Sequence, residues 1–212
     1  MTRRALVRIA SSVVAVAAVV VAQQLPAEAK GASATFDDRS VVQLTRAGVE
    51  RGQGGLALHL TSKDTVVAGN VAVATTSCDG CHATAISFQV VVADKAPTSL
   101  DLANVAYADN KGCAQCEADA FAYQFVLAFD GNARITGAGR RQLDQIDAAL
   151  RRLARSGGSA DELQDAVEAY AGQVVGVLSS ELRVRPVVRK GVTKKHGPTS
   201  VTRPPDADAL AS

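Results

Sequence analysis

The chain has 212 residues, a net charge of +2, 47% hydrophobic residues and only 4% aromatic residues. Once an amino-terminal export signal is set aside, this length leaves one domain's worth of residues, which excludes a large multidomain protein. Because aromatic residues are scarce, the predicted core is modest, and the four cysteines are candidates to reinforce it.

The first 29 residues have the pattern of a secretory signal peptide. Three arginines within residues 1–8 form a basic start, residues 9–22 are almost entirely apolar, and Ala27 and Ala29 are the small residues that a signal peptidase reads. The apolar run of 14 residues is shorter than the roughly 18 to 20 residues of a membrane span. We therefore expect cleavage after Ala29 and a secreted or extracytoplasmic protein. A pair of arginines also fits a loose twin-arginine pattern, so the export route stays open.

Charge is divided unevenly between the body of the chain and its carboxyl terminus. Residues 30–182 carry 13 basic and 18 acidic residues, a net charge of −5, whereas residues 183–205 carry seven basic residues and no acidic one. Residues 183–212 have little to bury and are predicted to form a disordered basic tail. The tail either contacts an anionic surface or is only solvated. Because no aromatic residue interrupts its charges, nucleic-acid binding is not expected.

One segment of the chain occurs twice. Residues 70–93 reappear as residues 104–128, with one residue added before the first cysteine. Asparagine, glutamine, valine, several alanines and both cysteines recur in register, so the match indicates an internal duplication. All four cysteines lie inside the two copies, as two CxxC pairs: Cys78, Cys81, Cys113 and Cys116.

The residues after each CxxC pair alternate with a period of two. Bulky residues fall at every other position, with small or polar residues between them. This alternation predicts a strand, and a shorter alternation before the cysteines predicts another, so each copy is expected to be a strand-CxxC-strand hairpin. A buried helix after the CxxC is the alternative, because short apolar runs are ambiguous. The bulky positions are Ile86, Phe88, Val90 and Val92 in one copy and Phe121, Tyr123, Phe125 and Leu127 in the other.

Residues 138–182 predict two helices. Apolar residues recur at spacings of three and four from Leu143 to Leu153, two glycines follow at 157–158, and Ser159 with Glu162 forms a capping box before a second apolar stripe. We expect an antiparallel helical hairpin. The predicted fold class is therefore α+β, a single domain over residues 30–182 in which the duplicated strand unit packs on this C-terminal hairpin.

Disulfides are the default interpretation of the cysteines in an exported chain with an even cysteine count. A bridge within one CxxC closes a loop of four residues and contributes about 2 kcal/mol to the free energy of unfolding by the chain-entropy formula. A bridge between the two pairs contributes about 4 kcal/mol by the same formula, so the energy favours cross-pairing. A unit that was duplicated whole, however, is expected to carry its own bridge. We predict pairing of Cys78 with Cys81 and of Cys113 with Cys116, with the other connectivities open.

Three other uses of the cysteines compete with structural disulfides. Two CxxC pairs match a four-cysteine zinc site on Cys78, Cys81, Cys113 and Cys116. The sequence from Cys78 to His82 spells the C-x-x-C-H haem-attachment motif, although Glu117 replaces the histidine in the second copy. A redox-active dithiol is the third alternative. No cofactor is expected, with zinc ranked above haem.

Two glutamines occupy equivalent places in the two copies. Gln89 and Gln124 are predicted to be buried amides that meet backbone groups across a pseudo-twofold, a structural role in preference to a binding role. No HExxH, GxSxG or phosphate-binding glycine loop occurs in the sequence, so no catalytic residue is assigned.

The order of these motifs resembles a known group of proteins. Asn-Val-Ala-x-Ala, CxxC, an Ala-x-Ala-x-x-x-Gln-Val-type segment and leucine-rich helices are similar to secreted actinobacterial proteins of unknown function, some of which carry the label of peptide zinc metalloprotease. The resemblance covers about residues 69–182. It does not imply protease activity, because the three histidines lack the spacing of a metal-binding pair. It implies an exported, cysteine-paired module.

These observations predict a secreted, non-enzymatic structural or binding protein that is stabilised by two disulfides and meets a partner in the envelope or outside the cell. The alternative from another class is a thiol-disulfide oxidoreductase or electron carrier that uses the CxxC pairs.

Overall fold

The structure is a computed structural model and describes residues 33–186. Strands of twelve residues dominate the first two thirds of these residues, and two helices follow between two short strands. The elements are β1 (Ser33–Leu44), β2 (Glu50–Thr61), β3 (Thr65–Thr76), β4 (His82–Ala93), β5 (Ser99–Asn110), β6 (Glu117–Ala128), β7 (Gly131–Ile135), α1 (Gly137–Leu153), α2 (Ala160–Glu181) and β8 (Leu182–Pro186).

The six long strands form two parallel sheets. Sheet A has the order β1-β3-β5 and sheet B the order β2-β4-β6. Consecutive strands are joined by short turns and alternate between sheet A and sheet B, so the chain winds through three coils. Coil 1 is residues 33–61, coil 2 residues 65–93 and coil 3 residues 99–128. The architecture is a two-sheet parallel β-solenoid of three coils.

The predicted α+β fold class is therefore wrong. The strands of one CxxC unit, such as β3 and β4, do not form a hairpin, because each pairs with the corresponding strand of the neighbouring coil. A helix after the CxxC is also wrong, since β4 and β6 occupy those positions. Period-two alternation shows which residues share a face of a strand but not which strand lies beside it. The copies are related by a translation along the stack and not by a pseudo-twofold.

Both faces of β4, the central strand of sheet B, are covered. Eleven of the twelve residues of β4 are buried, which is typical of a strand packed on both faces. Ala83, Ala85 and Val91 of β4 pack with residues of sheet A, whereas Ile86, Phe88, Val90 and Val92 face the helices. The helix-facing cluster combines strand and helix residues: Ile86, Phe88, Val90, Val92, Leu143, Ile146, Leu150, Val167, Val174 and Leu178.

The two helices form a layer on sheet B, and the antiparallel helical hairpin predicted for residues 138–182 is not evident. Their main partners in the sheet differ, because α1 packs on β2 and α2 on β6. Ser159 caps α2 with the predicted capping box, in which its hydroxyl accepts from the Glu162 N–H and the Glu162 carboxylate accepts from the Ser159 N–H. Helix α1 thus packs on both β2 and α2, and apolar side chains of both helices join the cluster on sheet B.

Glycines allow α1 to lie very close to β2. A Cβ built on Gly52 would fall 1.4 Å from the carbonyl oxygen of Ala154, and one on Gly54 would fall 2.7 Å from that of Leu150. The N–H of Leu56 on the free edge of β2 donates to Asp147 Oδ1 at 2.8 Å. Helix α1 therefore closes sheet B at coil 1.

The last strand lies within the segment counted as tail from the sequence. β8 pairs antiparallel with β7 and so joins the end of α2 to the start of α1. The predicted signal peptide and the predicted tail beyond Pro186 lie outside the described residues. Within residues 33–186, neither helix is long and apolar enough to cross a membrane.

Coil 1 is a third copy of the duplicated unit, which the sequence did not reveal. Its turn, residues 45–49, has Arg46 and Val49 where coil 2 has Cys78 and Cys81, so the cysteine signal is lost. Leu56, Leu58 and Leu60 align with Phe88, Val90 and Val92 of β4. Each aligned pair is 32 residues apart, and this period is the signal by which the third copy could be found in the sequence.

Candidate functional site

The three turns that lead from sheet A to sheet B, residues 45–49, 77–81 and 111–116, stack on one another and form the candidate site. The Gly48 N–H donates to the Asp79 carbonyl at 3.0 Å, and the Gly80 N–H donates to the Ala114 carbonyl at 2.9 Å. The Asp79 side chain also accepts from the Ala114 N–H at 2.7 Å. Parallel pairing therefore continues from the sheets into the turns, and the two CxxC turns lie next to each other.

Each CxxC turn is closed by its own disulfide. Cys78 pairs with Cys81 and Cys113 with Cys116, with Cα atoms 5.8 and 5.9 Å apart. The predicted pairing is thus what the structure shows. Local bridges follow from the geometry of the stack, because each turn folds back within a single coil.

The two disulfides differ in exposure. Cys78 and Cys81 are 6% and 1% exposed and pack among alanines of coils 2 and 3, together with Val42 and Leu44 of coil 1. The Cys81 sulfur lies 3.1 Å from the Arg46 carbonyl oxygen of the first turn. Cys113 and Cys116 are partly exposed, since no further coil lies above them within residues 33–186.

Disulfide formation removes the ligands for the two cofactors considered from the sequence. Every cysteine is paired, so no thiolate is left for a four-cysteine zinc site. In the haem-like motif, Cys78 and Cys81 are bonded to each other and His82 faces Asp119. The match to the haem motif therefore arises because His82, the first residue of β4, directly follows the CxxC turn.

His82 belongs to a small polar cluster at the start of sheet B. Glu50, His82 and Glu117 occupy aligned positions of the three strands, and Asp119 lies two residues further along β6. His82 Nε2 donates to Asp119 Oδ2 at 2.8 Å, with side chains only 12% and 9% exposed. One atom each from His82, Glu117 and Asp119 lies within 4.8 Å of the others, so the set has donors suited to a divalent metal.

The electrostatics of this cluster favour a charged histidine. The hydrogen bond to Asp119 raises the pKa of His82, and attraction by Asp119, Glu117 and Glu50 acts in the same direction, against the opposing effect of burial. When the imidazole is protonated, it and the carboxylate satisfy each other as an ion pair between coils 2 and 3.

The predicted structural glutamines lie between the two sheets. Gln89 is fully buried, and its Nε2 donates to the Gly69 carbonyl at 3.0 Å and to Asp38 Oδ2 at 2.6 Å. Gln124 Nε2 donates to Gln89 Oε1 at 2.7 Å and to the Ala68 carbonyl at 3.1 Å. The glutamines thus bond to each other from one coil to the next as well as to the backbone.

An asparagine row runs beside the glutamines. Asn70 Nδ2 donates to Asn104 Oδ1 at 2.8 Å, and Asn70 Oδ1 accepts from the Ser87 hydroxyl at 2.6 Å. Together these side chains form a polar seam between the alanine cluster beneath the turns and a small apolar cluster around Val66 and Val91. The seam satisfies its hydrogen bonds only when the coils are in this register, so it specifies the stacking.

Sequence reasoning missed most partners in these rows. Asn70 and Asn104 belong to the repeat, but the sequence pattern does not indicate their partners, and it does not link Asp38 or Asp119 to the repeat. Aligning three copies at equivalent positions would have placed Asp38, Asn70 and Asn104 in one row. A comparison of the chain with family models, with curated proteins and with solved structures found no match.

Proposed function

We propose that this chain is an extracytoplasmic structural or binding protein whose cysteines serve the stability of a short β-solenoid. The burial of the Cys78–Cys81 bridge, with Cys81 only 1% exposed, carries the proposal. A sulfur in that position cannot be reached by a partner thiol unless the stack opens, whereas it adds apolar contacts between coils. Paired cysteines fit an oxidising compartment and the export signal expected for residues 1–29.

Intact mass of the protein recovered from the export compartment tests the proposal. Without reductant, we expect no reaction with an alkylating agent and a mass four hydrogens below that of the reduced chain. Under a limiting amount of reductant, Cys113 and Cys116 are expected to be alkylated before Cys78 and Cys81, because only the former pair is partly exposed. Four free thiols in the exported protein, or bound zinc released together with them, would contradict the proposal.

The partial exposure of Cys113–Cys116 favours a second candidate function, thiol-disulfide exchange at the third turn. In that case the protein would accelerate reduction of a test disulfide by a small thiol, and the double variant Cys113→Ser/Cys116→Ser would lose this activity. The variant Cys78→Ser/Cys81→Ser is the matched control, because it removes a bridge of the same loop length at a buried position. Equal activity of both variants would exclude the third turn as the source.

Contact with an anionic surface is part of the same proposal. Exposed Arg134, Arg183 and Arg185 lie on β7 and β8, and the sequence places five further basic residues of the predicted tail at positions 189–203. Clustered positive charges attract anionic polymers or lipids in a salt-dependent way. Binding to vesicles of anionic lipid should weaken with added salt and on truncation after Pro186, whereas vesicles of neutral lipid should bind neither form.

A further inference from the structure

Coil 3 ends the solenoid with two open strand edges. Within residues 33–186, β5 pairs only with β3, and β6 pairs only with β4. Leu100 and Leu102 align with Val66 and Ala68 of coil 2, which are 0% and 1% exposed. The two leucines are nevertheless 45% and 42% exposed, because the space between the sheets is open at this end.

The opposite end of the solenoid is different. At coil 1, helix α1 lies against β2, and the Leu56 N–H on the free edge of that strand donates to Asp147. A second solenoid therefore cannot continue sheet B at coil 1 without displacing α1. Head-to-tail growth is blocked, whereas the coil 3 end offers both sheets for pairing.

The open edges have few of the features that prevent pairing. β5 and β6 are each twelve residues long and contain neither proline nor lysine. Long, regular edges with unpaired N–H and C=O groups are templates for another strand. β5 also carries four of the large exposed apolar side chains: Leu100, Leu102, Val105 and Tyr107, each more than 40% exposed.

We propose that two copies of this chain pair across the coil 3 end as a twofold dimer, with β5 antiparallel to β5 and β6 antiparallel to β6 of the second copy. The Asn104 amide donates to the Ala122 carbonyl at 2.9 Å, so these two positions face each other across the sheets. Both lie near the middle of their strands. One twofold axis perpendicular to the sheets and passing through both positions therefore pairs both edges at once.

The side chains fit this register. Residues directly opposite in an antiparallel pair share a face, and Asn104 opposite Asn104 of the second copy meets this condition and extends the asparagine row. Leu100 and Leu102 then lie opposite Ala108 and Ala106, large against small. No carboxylate meets another, because the acidic residues face neutral ones: Asp101 faces Tyr107, Asp109 faces Ser99, Glu117 faces Leu127 and Asp119 faces Phe125. Each strand pair would add about ten hydrogen bonds, as many as a typical interface has in total.

Sedimentation of the full mature chain over a range of concentrations is the first test. We expect a dimer, and Leu102→Lys should raise its dissociation constant at least about 100-fold, because an ammonium would be buried between the sheets of the dimer. Val105→Lys on the outer face of β5 is a second variant should the first not fold. Val41→Lys is the matched control, because Val41 is 43% exposed on β1 at the opposite end, and it should leave the dimer unchanged.

Cysteine cross-linking tests the register. Ala122 lies on the proposed axis and meets its own copy, within the Cα separation that a disulfide requires. Ala122→Cys should therefore give a covalent dimer on oxidation. Ala118→Cys should not, since Ala118 would face Val126 of the second copy, although both alanines pack on the same cluster.

Three outcomes would overturn the proposal. One is a monomer for the full chain over the whole range of concentrations. Another is a dimer that Val41→Lys dissociates and Leu102→Lys does not, which would place the interface at coil 1. The third is a dimer that forms only after truncation following Pro186, which would mean that the chain's own terminal segment occupies the edges.

Discussion

At the residue scale, one backbone conformation recurs in all three turns. Gly48, Gly80 and Gln115 occupy equivalent positions and have φ values of 68°, 63° and 55°. This left-handed region disfavours residues with a Cβ by about 1 to 2 kcal/mol. The third turn therefore tolerates strain that the first two avoid with glycine.

The strain predicts unequal effects of alanine in equivalent turns. Gly80→Ala should lower the free energy of unfolding by about 1 kcal/mol, because it introduces a Cβ at a positive φ, and nothing lies within 4 Å to add a steric cost. Gln115→Ala should leave it almost unchanged, since glutamine already has a Cβ. Urea unfolding of both variants checks this expectation, and equal losses would contradict it.

The His82–Asp119 ion pair predicts a dependence of stability on pH. The pKa of His82 is raised in the folded state by Asp119, so its contribution is fully present below the ordinary value of about 6.5. That contribution is lost as the pH rises through the raised folded-state pKa. The melting temperature of the wild type should exceed that of Asp119→Asn most near pH 6, with a smaller difference in alkaline buffer.

A metal at the same cluster would give a different result. If His82, Glu117 and Asp119 held an ion, added zinc would raise the melting temperature of the wild type but not of Asp119→Asn, and the gain would grow as His82 loses its proton. With the ion pair alone, the pH profile should be the same with zinc and with chelator.

At the element scale, the positions of strands were more predictable than their partners. Alternating bulky residues from Ile86 to Val92 marked a strand that the structure contains, and the capping box at Ser159 marked the start of α2. Pairing was not predictable from that pattern, because a hairpin and a solenoid coil bury the same alternate residues. The information on pairing lies in the repeat period, and the cysteine-free turn at Arg46 and Val49 concealed one repeat.

The approach of α1 to β2 depends on Gly52. Gly52→Ala should lower the free energy of unfolding by about 3 kcal/mol or more, because its Cβ would overlap the Ala154 carbonyl. Gly172→Ala in α2 is the matched control, with no atom within 4 Å of the added methyl group, and it should raise stability by about 0.5 to 1 kcal/mol through helix propensity. Chemical unfolding of both variants measures the two effects.

A loss of stability equal in both glycine variants would contradict this packing. It would also show that α1 does not close the edge of β2. The proposed dimer would then lose its reason for forming at coil 3 alone, so this experiment constrains both conclusions.

At the scale of the whole molecule, the candidate site was only partly predictable. The cysteine pairs could be derived from the duplication, because a unit that repeats whole carries its own bridge. The polar seam could not, since Asp38, Asn70 and Asn104 meet only when three coils are stacked in register. A nearest-neighbour stack makes the middle coil special, because it alone contacts a coil on each side.

Removing each disulfide separately tests the central place of coil 2. Cys113→Ala/Cys116→Ala should lower the free energy of unfolding by about 2 kcal/mol, the loop-closure contribution of a four-residue bridge. Cys78→Ala/Cys81→Ala should cost about 1 to 2 kcal/mol more, because it also leaves a cavity in the alanine cluster that coils 1 to 3 share. Urea unfolding measures the two free energies, and they can be compared directly if both variants have the same dependence of the free energy of unfolding on urea concentration. Equal losses would mean that the second turn is not enclosed between the first and the third, and the stacked order of the coils would then have to be revised.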